Sequence, residues 1–124
     1  MNIKLDCIVI DVPDLKKGSA FYRALLGLTE AYADEAWVSL ESRDLPLRLG
    51  LQHEPDYAPP AWPLPAGHGQ MLHLDFLVAD VPAAVAYCER LGATKAADQF
   101  METGVTMLDP FGHPFCLLPD NEGA

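Results

Sequence analysis

Residues 72–81 read Leu72-His73-Leu74-Asp75-Phe76-Leu77-Val78-Ala79-Asp80-Val81, an apolar run with the look of a strand, closed by an aspartate placed to cap a helix. Val81, Val85, Cys88 and Leu91 follow at helical spacing, and Gly92 supplies the stop. The same punctuation stands 66 positions earlier, where Cys7, Val12, Asp14 and Leu15 match His73, Val78, Asp80 and Val81. Leu26-Gly27 matches Leu91-Gly92 at a spacing of 65, and residues 48–51 return to 66 against 114–117. Agreement at strand, cap, helix stop and final strand reads as an internal repeat.

Worked outward, the first copy gives a strand at 5–12 and a helix at 15–26, with Leu15, Phe21, Tyr22, Leu25 and Leu26 on one side of it. Strands at 36–40 and 47–52 follow. The second copy gives a strand at 72–78, a helix from Val81 to Leu91, a short strand at 93–96, then 104–108, a turn at Asp109-Pro110-Phe111-Gly112, and 114–118. Between the copies, five of the eleven prolines fall within 54–69, which excludes helix and central strand there. The reading is one domain, 1–124, with modules at 1–54 and 70–124 and a Pro-rich crossover at 55–69. Trp62 and Tyr57 in that crossover need an apolar surface to pack on.

Composition narrows the function. The 124 residues carry 8 Lys+Arg against 18 Asp+Glu, a formal charge of −10, which disfavours nucleic acid and anionic membrane surfaces as partners. No apolar run approaches the ~18 residues of a membrane span, and Asp6 and Asp11 interrupt the opening segment, so no targeting sequence is read. Three widely spaced cysteines, Cys7, Cys88 and Cys116, do not form a secreted disulfide framework. A cytoplasmic location is the expectation.

Strand parity sorts the side chains into two faces. Ile8, Ile10, Leu47, Leu49, Leu51, Leu72, Leu74, Phe76, Phe115 and Leu117 form an apolar set expected to lie under the helices. Cys7, Val9, Asp11, Arg48, Gly50, Gln52, His73, Asp75, Pro114, Cys116 and Leu118 form a mixed set, which either faces water or lines a cavity.

The order of strand, helix ending in Leu-Gly, three strands, Pro-rich linker and second copy resembles the vicinal oxygen chelate superfamily, which includes glyoxalase I, bleomycin-resistance proteins, extradiol dioxygenases and fosfomycin-resistance enzymes. The likeness is greatest to its small bacterial glyoxalase-like members. It is carried by residues 20–27 (Ala-Phe-Tyr-Arg-Ala-Leu-Leu-Gly), by 73–80, by Leu91-Gly92-Ala93, and by 109–117 (Asp-Pro-Phe-Gly-His-Pro-Phe-Cys-Leu). The resemblance implies an α+β fold of two βαβββ modules whose curved mixed sheet surrounds a cavity. It also implies metal ligands, usually His or Glu, on the first and last strand of each module. Those places are Cys7, Gly50, His73 and Cys116 here. His73 fits the pattern, Gly50 has no donor, and two cysteines replace the expected His and Glu.

Two expectations follow. In the first, the protein binds a small organic molecule between its modules without a resident cofactor. Trp37, Trp62 and Phe100 supply apolar contact, and Arg48, Gln52, His73 and Asp75 supply polar anchoring. In the second, it is a lyase, isomerase or dioxygenase with zinc at Cys7, His73 and Cys116, and Glu41 is the candidate base. Asp75 is placed to orient His73 or to pair with Arg48. Cys88 reads as core, His113 as a turn residue, and His53 and His68 as surface positions flanking the crossover. A homodimer is expected from the resemblance.

Overall fold

The structure is a computed structural model that describes residues 1–65 and 72–120. Its element order is β1 (Cys7–Val12), α1 (Leu15–Leu26), β2 (Thr29–Ala33), β3 (Trp37–Glu41), β4 (Arg48–His53), β5 (Leu74–Val78), α2 (Val81–Arg90), β6 (Thr94–Lys95), β7 (Val105–Leu108) and β8 (Pro114–Pro119). The strands form two four-stranded mixed sheets, ordered β1-β4-β3-β2 and β5-β8-β7-β6, so the fold is the α+β pair of βαβββ modules. The chain divides into two compact units, Met1–Ala58 and Pro59–Ala124. Among the described residues no helix is long and apolar enough to cross a membrane.

Both helices begin as the sequence dictates. The Asp14 carboxylate accepts from the Lys17 N–H at 3.0 Å, and the Asp80 carboxylate from the Ala83 N–H at 3.1 Å, each satisfying a donor that the first helical turn leaves unpaired. Gly27 closes α1 with φ 67°, a left-handed conformation that glycine adopts without steric cost. Asp14→Ala and Asp80→Ala should each lower stability by about 1 kcal/mol, read from the midpoint of urea unfolding. No change in midpoint would show that the caps are replaced by water.

Each helix covers one face of its own sheet. In the first unit Phe21 and Tyr22 of α1 are buried with Val38, Leu40, Leu49 and Leu51 of β3 and β4. In the second, Cys88 of α2 is buried with Met107, Phe115 and Leu117. Cys88 is therefore core, as its helical position suggested. Residues 29–33, which carry no strand signal in the sequence, form β2. Every residue of this edge strand is exposed, so Thr-Glu-Ala-Tyr-Ala carries no burial pattern to read. The strand is tied to α1 through polar groups. Ser19 Oγ donates to the Glu30 carboxylate at 2.6 Å and accepts from Arg23 Nε at 3.0 Å.

Candidate functional site

The strand registers assemble the uncovered face of each sheet into rows, because laterally paired residues point the same way. In the first unit Asp11, Gln52 and Trp37 form one row, and Val9, Gly50 and Ser39 form the next. Cys7 and Arg48 are paired in the row after that. The Trp37 indole leans out of its own row over Gly50. A Cβ on Gly50 would lie 2.5 Å from Trp37 Cζ2 and 2.9 Å from Cys7 Sγ, so only a glycine leaves room for the ring. Arg48 donates to both carboxylate oxygens of Asp6, at 2.9 and 2.8 Å, and to Ser39 Oγ at 3.4 Å. Burial pushes the Cys7 thiol pKa up, and the neighbouring guanidinium partly offsets this.

The second unit repeats the lattice with other residues. Asp75, Cys116 and Thr106 occupy the row that Val9, Gly50 and Ser39 occupy in the first unit. His73 precedes β5 on the face of Asp75, and its Nε2 lies 3.1 Å from Asp75 Oδ1. Nitrogen, carboxylate oxygen and the Cys116 sulfur all lie within 4.8 Å of one another. Cys116 is only 5% exposed, and Thr106 Oγ1 is 3.5 Å from its sulfur. Burial raises the Cys116 thiol pKa, the Thr106 hydroxyl opposes that, and the Asp75 carboxylate adds to it. One step along β7 from Val105↔Leu117, Gly104 takes the position that Trp37 has in the first unit, with Leu118 against it. No indole covers Cys116 from that position.

Other expected site residues have local partners. Trp62 donates from Nε1 to the Asp98 carbonyl at 3.2 Å and meets Phe100 edge-on, with centroids 6.0 Å apart. The crossover tryptophan thus packs on a loop of its own unit, and Phe100 stays 68% exposed. Arg48 pairs with Asp6 and Asp75 with His73, so of the two places open to Asp75 the one beside His73 is taken. Glu41 ends β3, exposed. His113 is a turn residue whose Nδ1 lies 2.7 Å from Asp109 Oδ2. His68 lies outside the described residues.

Residues 7–118 match the family described as the glyoxalase-like domain. The chain belongs to this family. Solved structures with the same fold include a glyoxalase/bleomycin resistance protein/dioxygenase family enzyme from Burkholderia phytofirmans PsJN. It is 18% identical, with a TM-score of 0.71 over 94% of this chain and 98% of that one. A glyoxalase/bleomycin resistance protein from Albidiferax ferrireducens T118 is 23% identical, with a TM-score of 0.60 over the same shares of the two chains. A protein from Agrobacterium tumefaciens solved by NMR is 20% identical, with a TM-score of 0.70 over 95% of this chain and 98% of that one. No curated protein matches the sequence.

Family membership raises the question of a metal, and each unit of this glyoxalase-like protein answers it differently. In the first unit Gly50 offers no donor atom and the Trp37 ring lies over it, so the family's ligand pattern does not fit there. Cys7 remains as that unit's one donor at a family ligand position. The second unit keeps His73 and Cys116 and adds Asp75. Parity alone had put Asp75 on the right face, but its place beside Cys116 depends on β5 pairing with β8. Thr106 was missed altogether, although the alternation Val105-Thr106-Met107 places it on the Cys116 face.

Proposed function

We propose that this glyoxalase-like protein binds a small planar organic molecule, neutral or cationic, on the uncovered face of its first sheet. The observation that carries the reading is the Trp37 indole seated on Gly50, an aromatic platform with Gln52 and Asp11 in its own row. An indole face attracts cations and stacks on flat rings. The formal charge of −10 and the Asp6 carboxylate already engaging Arg48 both disfavour an anionic ligand. Neighbours named for bleomycin resistance are consistent with a binding role, and the superfamily's usual metal plays no part in it. The homodimer expected from the resemblance belongs to the same proposal, and a solution mass near 13.5 kDa would count against it.

The test uses N-methylquinolinium as a flat cationic probe and naphthalene sulfonate as its anionic counterpart. Titrations follow Trp37 emission in a Trp62→Phe background. The cation should quench Trp37 and bind more tightly than the anion. Trp37→Ala, followed by calorimetry, should lose about 2 kcal/mol of binding, roughly 30-fold. Equal binding by Trp37→Ala, or preference for the sulfonate, would overturn the reading.

A further inference from the structure

We propose that the second unit holds a metal site of its own, built from His73, Asp75 and Cys116, that takes zinc without any ligand from the first unit. The proposal does not rest on the small-molecule reading, which concerns the other sheet. It keeps His73 and Cys116 of the ligand positions implied by the family resemblance, and Asp75, which is not among them, takes the place of the first unit's pair.

The donor set is the first argument. One imidazole, one carboxylate and one thiolate are each zinc ligands, and three protein donors with a free fourth position make an open zinc site. Carboxylate and thiolate together carry two negative charges, which balance a divalent ion. Among the described residues this is the one place where three such side chains converge.

Geometry is the second argument. Donors on a tetrahedral zinc sit about 2.0–2.3 Å from the ion and so about 3.3–3.7 Å from one another. His73 Nε2 and Asp75 Oδ1, at 3.1 Å, already stand near that separation. The whole trio, within 4.8 Å, needs a closure of about an ångström, which rotation of the two exposed side chains provides. The sulfur is the fixed point, since Cys116 lies on the central strand β8, paired with β5 on one side and β7 on the other.

The surroundings supply the third argument. The Thr106 hydroxyl, 3.5 Å from the sulfur, is placed to donate to a thiolate and steady it. In the first unit the equivalent central position is Gly50 under an indole. Here Gly104 stands where that indole would be, and His73 and Asp75 are exposed on the same face. The Leu118 and Met101 side chains crowd Gly104, so an ion would reach the sulfur from the side of the exposed His73 and Asp75.

Cobalt(II) titration of the full-length protein, purified without affinity-tag metal, tests the site without an activity assay. One equivalent of cobalt should produce the near-ultraviolet thiolate-to-cobalt charge-transfer band and tetrahedral visible bands, both removed by zinc. Cys116→Ser should abolish the charge-transfer band. Asp75→Asn should weaken binding by at least the roughly 10- to 100-fold lost when a ligand's supporting partner is removed. Cys7→Ser should leave the spectrum unchanged. Absence of the band in the wild type, its persistence at full affinity in Asp75→Asn, or its loss in Cys7→Ser would overturn the proposal. Should Cys116→Ser fail to fold by circular dichroism, Asp75→Asn and His73→Gln, both at exposed positions, carry the test.

Discussion

Asp109→Ala should cost about 3 kcal/mol of stability or more, the most damaging single truncation of a polar side chain among the described residues. The Asp109 side chain is 0% exposed. One of its oxygens accepts from the Phe111 N–H at 2.8 Å and the His113 N–H at 3.0 Å, and the other lies 2.7 Å from His113 Nδ1. Its backbone closes the same turn, since the Asp109 N–H donates to the His113 carbonyl at 2.9 Å and the Gly112 N–H donates to the Asp109 carbonyl at 3.0 Å. Alanine would leave two backbone donors without their acceptor at the connection between β7 and β8. The turn positions Cys116, so its loss also loosens the strand on which the proposed zinc site depends. Urea unfolding measures the effect. A loss below about 1 kcal/mol would show that the backbone bonds and the left-handed Gly112 hold the turn unaided. Asp109→Asn keeps an acceptor for the two N–H groups and should recover part of the loss.

A second large effect is expected from one isosteric change, Gln99→Glu. The strand β6 is only two residues long, and beyond it the Gln99 amide takes over its pairing role. Gln99 Nε2 donates to the Ala96 and Thr106 carbonyls, both at 2.8 Å, and its Oε1 accepts from the Thr106 N–H at 2.8 Å. A glutamate of the same shape keeps the last bond and turns the other two into carboxylate facing carbonyl oxygen. The expected cost at neutral pH is roughly 2–4 kcal/mol, above the cost of Gln99→Leu. The pH dependence has a definite sign. Two carbonyl oxygens favour the protonated acid, so the carboxyl of the variant binds its proton more tightly folded than unfolded. Its penalty is therefore full at neutral pH and shrinks as pH falls toward the ordinary glutamate value of about 4.3. A variant as stable as the wild type at neutral pH, or one that gains no relative stability on acidification, would show that Gln99 does not splice the edge of β7.

The two effects mark where the sequence was legible and where it was not. The repeat, both helices with their aspartate caps and glycine stops, and the two faces of β1, β4, β5 and β8 could be read because each is a local signal of period, cap or breaker. β2 could not, because an edge strand exposed along its whole length has no apolar alternation. Gln99 could not, because a side chain that substitutes for a strand shows no periodicity; its partners at 96 and 106 are set by the chain's return path. At the site, parity brought His73, Asp75 and Cys116 to one face. The pairing of β5 with β8 then made them neighbours. The lean of Trp37 over Gly50 crosses from one row to the next and has no sequence signature. The Arg48–Asp6 pair has no sequence signature for a related reason, since Asp6 is distant in sequence and is brought to Arg48 only by the pairing of β1 and β4.

The exchange of Trp37 and Gly50 in one unit for Gly104 and Cys116 in the other has a consequence for how such a chain can change over time. A duplicated module begins with two copies of the same row. Once an indole settles over a glycine in one copy, a donor atom can return to that glycine only after the ring is removed. The step back needs two substitutions in a fixed order, and the first of them surrenders the aromatic platform. The reciprocal placement acts as a ratchet between a row filled by an indole and a row that carries donor atoms, and reversing the first means removing the ring that fills it.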